Sequence, residues 1–260
     1  MSDSQVRLST AQQQLRRRPS AYSMAPTTFD HKFFGFMISI SGAGKADRVL
    51  DVACGSGSAT MAFAERCKSV VGLDVVDEPL ARARVTAAER GLGNATFALG
   101  EVERVPFAEG AFTGAICRFS FHHFVNPHRV FSEMARIIAP GGWMVISDMT
   151  SSEDPEKAAL QNELERLSDP THGRTMPISE FLQMFTDHGF RTAMKVERDS
   201  RITVDDWVRF GGATAENATR LRELSAQAVE GDRAGMRMSR DGETIRLIHN
   251  SVSFVIEKED

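Results

Sequence analysis

The stretch VLDVACGSGSAT, Val49 to Thr60, decides how the rest of the chain is read. An apolar strand run ends, glycines at 55 and 57 turn the chain, and a helix-forming run opens at Ser58. Glycines at such a turn let the backbone approach a ligand closely and leave helix N-terminal N–H groups pointing at it. Beyond it the run VVGLD ends in Asp74. A carboxylate at the end of a second strand is placed to accept hydrogen bonds from two ribose hydroxyls.

Two ligand types compete for this turn. A dinucleotide fingerprint, GxGxxG, needs a third glycine, but the segment reads Gly55-Ser56-Gly57-Ser58-Ala59-Thr60. Asp51, inside the first strand, counts against a pyrophosphate. A carboxylate there suits a ligand carrying a positive amino group and a sulfonium.

Outward from this turn, residues 48–149 repeat strand then helix: RVLDVA, the helix through Cys67, SVVGLD, EPLARARVTAAERG, ATFALG, FTGAICRFS, PHRVFSEMARIIA and GGWMVISDM. In the last of these helices Val130, Met134 and Ile137, with Phe131, Ala135 and Ile138 beside them, form a wide apolar face. The strands are continuous apolar runs, which predicts a parallel sheet covered by helices on both faces. Three regions follow: 1–47, N-terminal covering helices; 48–150, the ligand-binding core; 151–260, completion of the sheet with helical insertions. In the last region ISEFLQMFTDHGF reads as an amphipathic helix, RTAMKVERD as a strand and residues 203–231 as polar helices. GMRMSRDGETIRLIH reads as a hairpin turning on Asp241-Gly242, and SVSFVIEKE as a final strand.

The bulk numbers exclude several classes. With 42% hydrophobic and 25% charged residues and net charge −4, the chain is ordinary for a globular protein and nothing favours nucleic acid. Arg16-Arg17-Arg18 reads as a solvated helix end. No apolar run near 18 residues and no signal-peptide pattern predicts neither a membrane span nor export. Cys54, Cys67 and Cys117 lack CxxC spacing, which argues against disulfides and structural zinc and for a reducing cytoplasm.

The stretches VLDVACGSGSAT, VVGLD, GEVERVPFAEGAFTGAICRFSFHHF and PGGWMVISD, in this order across about residues 11–150, resemble the class I S-adenosylmethionine (SAM) methyltransferases, in particular the ubiquinone/menaquinone C-methyltransferase-like group. The resemblance implies an α/β, Rossmann-like, doubly wound fold. Its seven-stranded sheet would be mostly parallel with the last strand antiparallel, and helical insertions would form a lid. It implies SAM as cofactor and S-adenosylhomocysteine as product. Asp51 and the backbone of Ala53, Cys54, Gly55 and Gly57 would surround the methionine part, and Asp74, with Val75 beside it, the ribose. GEVERVPF resembles the family's Gly-Asp-Ala-Glu-x-Leu-Pro-Phe. Glu101 stands where the family's Asp caps the adenine amino group, one methylene longer, and Val102 would pack on the ring. SAYSMAP resembles an N-terminal element that folds over SAM. Tyr22 would then face the cofactor carboxylate or methyl group, or else pack at a domain edge. Arg118 would line the cofactor through its backbone, or pair its side chain with a carboxylate.

The run CRFSFHHFVNP, Cys117–Pro127, places His122 and His123 beyond the fourth strand, where ligands of such sheets bind. Asn126-Pro127 reads as a helix start. If the chain is extended there, successive side chains point oppositely, so joint metal ligation is disfavoured and no metal is expected. In the resembling cyclopropane-fatty-acid-type branch this loop carries an acidic residue at the position of His122. That implies His122 as catalytic base or substrate contact, with Tyr22 as a second catalytic candidate. His123, counted at the cofactor, is expected to pack and hydrogen-bond the loop. His172 and Arg174 in SDPTHGR are expected in a solvated loop, or against a polar substrate. Phe29, Phe33, Phe34 and Phe36 are expected in the core.

The leading expectation is methyl transfer from SAM to an O, N or C atom of a small-molecule acceptor, by a monomer or homodimer. A methyltransferase-fold protein that binds SAM without transferring its methyl, such as a cyclase or rearrangement catalyst, carries the same motifs. An NAD(P)-dependent oxidoreductase fits less well, given Asp51 and the missing glycine.

Overall fold

The computed structural model describes residues 31–259. Tyr22 and Phe29 lie outside the described residues. The first described element is helix α1 (His31–Ser41). The strand-helix rhythm then runs β1 (Arg48–Val52), α2 (Ser58–Ala64), β2 (Ser69–Asp74), α3 (Asp77–Glu89), β3 (Ala95–Leu99), β4 (Phe112–Arg118), α4 (Pro127–Ile137) and β5 (Ile138–Met149). A second half adds α5 (Pro155–Ser168), α6 (Ile178–Asp187), β6 (Phe190–Thr203), α7 (Val204–Gly211), α8 (Ala215–Ala228), β7 (Ser239–Asp241) and β8 (Thr244–Lys258).

The sheet order is β3-β2-β1-β4-β5-β8-β6. The first five strands pair in parallel, as their unbroken apolar character predicts, and β8 runs antiparallel between β5 and β6. The expected seven-stranded path with an antiparallel last strand is therefore present, and the short β7 adds an eighth strand on β8. The hairpin turns on Gly242-Glu243, because Asp241 already pairs with Thr244. Its second arm and the final strand are one continuous β8 of 15 residues.

Both faces of the sheet are covered. On one, Phe131 and Met134 of α4 and Phe181 and Phe185 of α6 close over Cys117, Ile146 and Phe254. On the other, Phe33, Phe34 and Met37 of α1 and Phe63 of α2 close over Val49, Ile116 and Val145. All six apolar positions singled out around α4 are buried. A third cluster joins Leu164 of α5, Trp207 of α7 and Leu221 of α8 to Leu247, in the first half of β8. This roof of α5, α7 and α8 packs on the part of β8 that runs past the carboxyl end of β5. No helix among the described residues is long and apolar enough to cross a membrane.

Candidate active site

The turn after β1 is built on unusual backbone. Ala53, Gly55 and Gly57 all have positive φ, at 57°, 53° and 74°. Such a conformation is rare for a residue with a Cβ, so Ala53 marks local strain of the kind concentrated at ligand sites. The two glycines serve different ends. A Cβ on Gly55 would meet nothing within 4 Å, so that face of the turn opens outward. A Cβ on Gly57 would fall 2.5 Å from Phe97 Cε1, so this glycine is required for packing the turn against β3.

Two buried carboxyls flank the turn. Asp74 Oδ2 accepts from Gly55 N at 2.8 Å and Oδ1 from Val76 N at 2.9 Å, which braces the turn against β2. Burial raises its pKa against the pull of these N–H groups. Asp51 accepts from Thr60 Oγ1 at 2.6 Å. Burial pushes its carboxyl up to about 7, opposed by the Thr60 hydrogen bond and the Arg118 charge. A buried carboxyl so close to neutral pH becomes ionised when a cation sits beside it. The cradle thus fits a ligand with a cationic group near Asp51, a diol near Asp74, and backbone contacts at the open face of Gly55.

The remaining cofactor candidates differ in burial. Val75 is half-buried next to Asp74. Glu101 is exposed, and Val102 packs partly buried on the core under β3 and β4. The Arg118 guanidinium lies 5.0 Å from the Phe34 ring and 5.3 Å from the Phe119 ring, with its charge acting on Asp51. Phe119, at φ 48°, gives the end of β4 a backbone strain like that of Ala53 on neighbouring β1.

The histidine loop departs from expectation. Phe121–His123 is a 3₁₀ turn, so the chain is not extended, and the two rings face each other at 4.1 Å instead of pointing apart. They are separated by their partners. His122 Nδ1 lies 2.5 Å from Oδ1 of Asp148, at the end of β5. Asp148 is 1% exposed, and its Oδ2 accepts from Ser120 N at 2.9 Å and Phe121 N at 2.6 Å. One buried carboxylate therefore holds both the loop and the ring. His122 Nε2 has no hydrogen-bond partner among the described residues. Burial pulls the His122 pKa down, but Asp148, with Glu165 and Asp169 further off, holds it above the ordinary value. His123 Nδ1 lies 3.2 Å from Thr171 Oγ1, and burial together with His122 pushes its pKa down to about 4.

His172 is 2% exposed, with Nε2 at 2.9 Å from Asn162 Oδ1 and its ring stacked on His122 at 5.6 Å, which corrects the solvated-loop expectation. Arg174 instead pairs with Glu180. Phe33 and Phe34 are core residues, and Phe36 is half-buried. Asp148 and Glu165 were not singled out from sequence. The signal for Asp148 was present: an acid closing the apolar run GGWMVISD, in the place Asp74 holds on β2.

The chain is similar to known proteins in sequence and in fold. A methyltransferase-domain family profile matches residues 50–146. An uncharacterized methyltransferase of Bacillus subtilis, YcgJ, is 30% identical over 187 residues, covering 72% of this chain and 74% of that protein. Its crystal structure superposes with a TM-score of 0.82 at 26% identity, covering 89% of this chain and all of that one. A putative methyltransferase from Bacillus halodurans shares the fold at TM-score 0.83 and 24% identity, covering 88% and 100%. Demethylmenaquinone methyltransferase of Thermus thermophilus is 36% identical over 101 residues, but the match spans only 38% of this chain and 46% of the enzyme. The chain belongs to the SAM-dependent methyltransferases of Rossmann-like fold, and SAM is its cofactor.

Proposed function

We propose that this methyltransferase acts on a small-molecule acceptor whose O, N or C atom gives up a proton, with His122 as general base. One observation supports this above the others. The imidazole beyond β4 is fixed through Nδ1 by a buried carboxylate, leaving Nε2 as its proton-accepting atom. The arrangement keeps the ring in one tautomer and stabilises the imidazolium that proton uptake creates.

The cradle residues have separate tasks. Asp51 and the backbone from Ala53 to Gly57 would hold the methionine part, Asp74 and Val75 the ribose, and Glu101 with Val102 the adenine. When bound, SAM supplies a methyl group on a sulfonium that is already an activated leaving group. The protein's task is then placement of the acceptor atom along the carbon–sulfur axis, an effect worth roughly 7–11 kcal/mol. Proton removal by His122 adds on the order of 10²–10⁴-fold. The roof of α5, α7 and α8 supplies the acceptor side of the site and shields it from water.

The test is release of S-adenosylhomocysteine from SAM over a panel of phenols, enols and amines. Turnover with at least one protic acceptor is expected. His122→Ala should lower that turnover by about 10²-fold or more while isothermal titration still shows SAM binding. Loss of less than a few-fold removes the base role.

A further inference from the structure

The segment joining α5 to α6 is tied to the histidine loop by direct contacts. His122 O accepts from Gly173 N at 2.7 Å and from Arg174 N at 3.0 Å. Thr171 Oγ1 lies 3.2 Å from Nδ1 of His123. Between these contacts stands His172, 2% exposed, its ring stacked on that of His122 with centroids 5.6 Å apart and planes inclined by 25°. Connecting segments usually run over the surface, where water satisfies their polar groups. This one is buried at Thr171, His172 and Thr175, so its polar groups need protein partners.

Helix α5 supplies the partner that aims His172. Asn162 Nδ2 donates to Ala158 O at 2.9 Å and to Thr175 O at 3.2 Å, and its Oδ1 accepts from Thr175 N at 2.6 Å. Two carbonyls on one side and an N–H on the other leave this amide a single orientation. The second lone pair of Oδ1 meets Nε2 of His172 at 2.9 Å, so that nitrogen carries the hydrogen. The His172 ring is thus fixed at its edge before it meets His122 with its face. Asp148 holds the His122 ring at one atom, Nδ1, and rotation about the Cβ–Cγ bond would carry that atom away. A fixed ring stacked alongside opposes the rotation.

We propose that His172 is a positioning residue for His122: the ring that Asn162 holds in place keeps the His122 imidazole turned so that Nδ1 meets Asp148. The effect on turnover rests on His122 being the base, but the first test does not require turnover. The full chain, labelled with ¹⁵N at histidine and saturated with S-adenosylhomocysteine, is followed by NMR for exchange of the His122 Nδ1 hydrogen with water. That hydrogen is assigned by its loss in His122→Gln. His172→Ala should speed the exchange by about tenfold or more, since the ring is no longer held. His172→Gln keeps a donor for Asn162 but no ring, and should speed it likewise. His172→Phe keeps a ring without the donor, and exchange should stay within about threefold of wild type. Unmoved exchange in His172→Ala overturns the proposal. Slow exchange in His172→Gln, or fast exchange in His172→Phe, assigns the effect to the hydrogen bond with Asn162 and overturns it too. If His172→Ala does not fold, the Gln and Phe variants decide by the same outcomes. Turnover separates the two readings. With the ring lost, kcat should fall about tenfold or more at unchanged KM for SAM, and His172→Phe should recover it to within about threefold. If exchange follows the ring but kcat does not, His172 still positions His122 and the base assignment fails.

Discussion

At His122 two effects oppose each other. Burial favours the neutral ring, while Asp148 at 2.5 Å favours the imidazolium, and the carboxylates win. The base is therefore harder to deprotonate than a free histidine, and the neutral form that accepts a proton prevails only on the alkaline side. We expect kcat/KM to rise with pH through a limb centred above 6.5, the ordinary histidine value. Asp148→Asn should move that limb toward acid, because a charge favouring imidazolium is lost, and should lower the plateau, because the tautomer is no longer fixed. The check is a pH–rate profile in both proteins; a limb that moves toward alkali in the variant contradicts the assignment. The sequence places His122 at the correct strand end but misplaces its ring. The inference of opposed rings assumes extended backbone, whereas the three residues close a 3₁₀ turn tied to Asp148, a partner 26 positions away.

Among the elements, legibility follows from periodicity. The unit β1–turn–α2 is readable because an apolar run, two glycines and a helical run need no long-range information. Even there, sequence alone gives Gly57 only a ligand-facing role. The structure shows that its missing Cβ admits Phe97. Gly57→Ala combines a φ of +74° with a 2.5 Å contact, so it should destabilise the fold by about 1–3 kcal/mol, read as a lower midpoint in urea. Gly55→Ala carries the same φ penalty without the clash and should cost less; equal losses would mean the packing of Phe97 is not what Gly57 serves. Helix α5 marks the opposite limit. Gln161, Asn162, Glu165 and Ser168 are buried on it, and nothing in their spacing says so, because a buried polar face and an exposed one have the same pattern. Only the roof packed on β8 tells them apart.

Across the whole molecule, the buried titratable groups make stability depend on pH in a way their counts do not suggest. Asp51 and Glu165 bind protons more tightly folded than unfolded, at about 7 and about 8 against ordinary values of 3.8 and 4.5. A carboxyl raised in this way stabilises the fold at low pH and loses that contribution as pH climbs through the folded value. His123 and His249 do the reverse: both are pushed down to about 4, so their burial costs stability below the ordinary 6.5 and nothing above it. Between the carboxylate range and 6.5 the two pairs oppose each other, and the slope should be small. Above 6.5 the two lowered histidines are neutral in both states, while Asp51, Glu165 and the raised His122 still lose protons from the folded state alone. The unliganded protein should therefore lose thermal stability between about pH 6.5 and 8, with each kcal/mol worth roughly 2–4 °C in Tm. Asp51→Asn keeps a partner for Thr60 and removes one titrating group, so its decline over that window should be shallower than the wild type's. Scanning calorimetry of both proteins across the window is the measurement. A wild-type Tm that holds level or climbs from 6.5 to 8 would mean these carboxyls reach water or partners in solution, and the dry cradle inferred around Asp51 would fall with it.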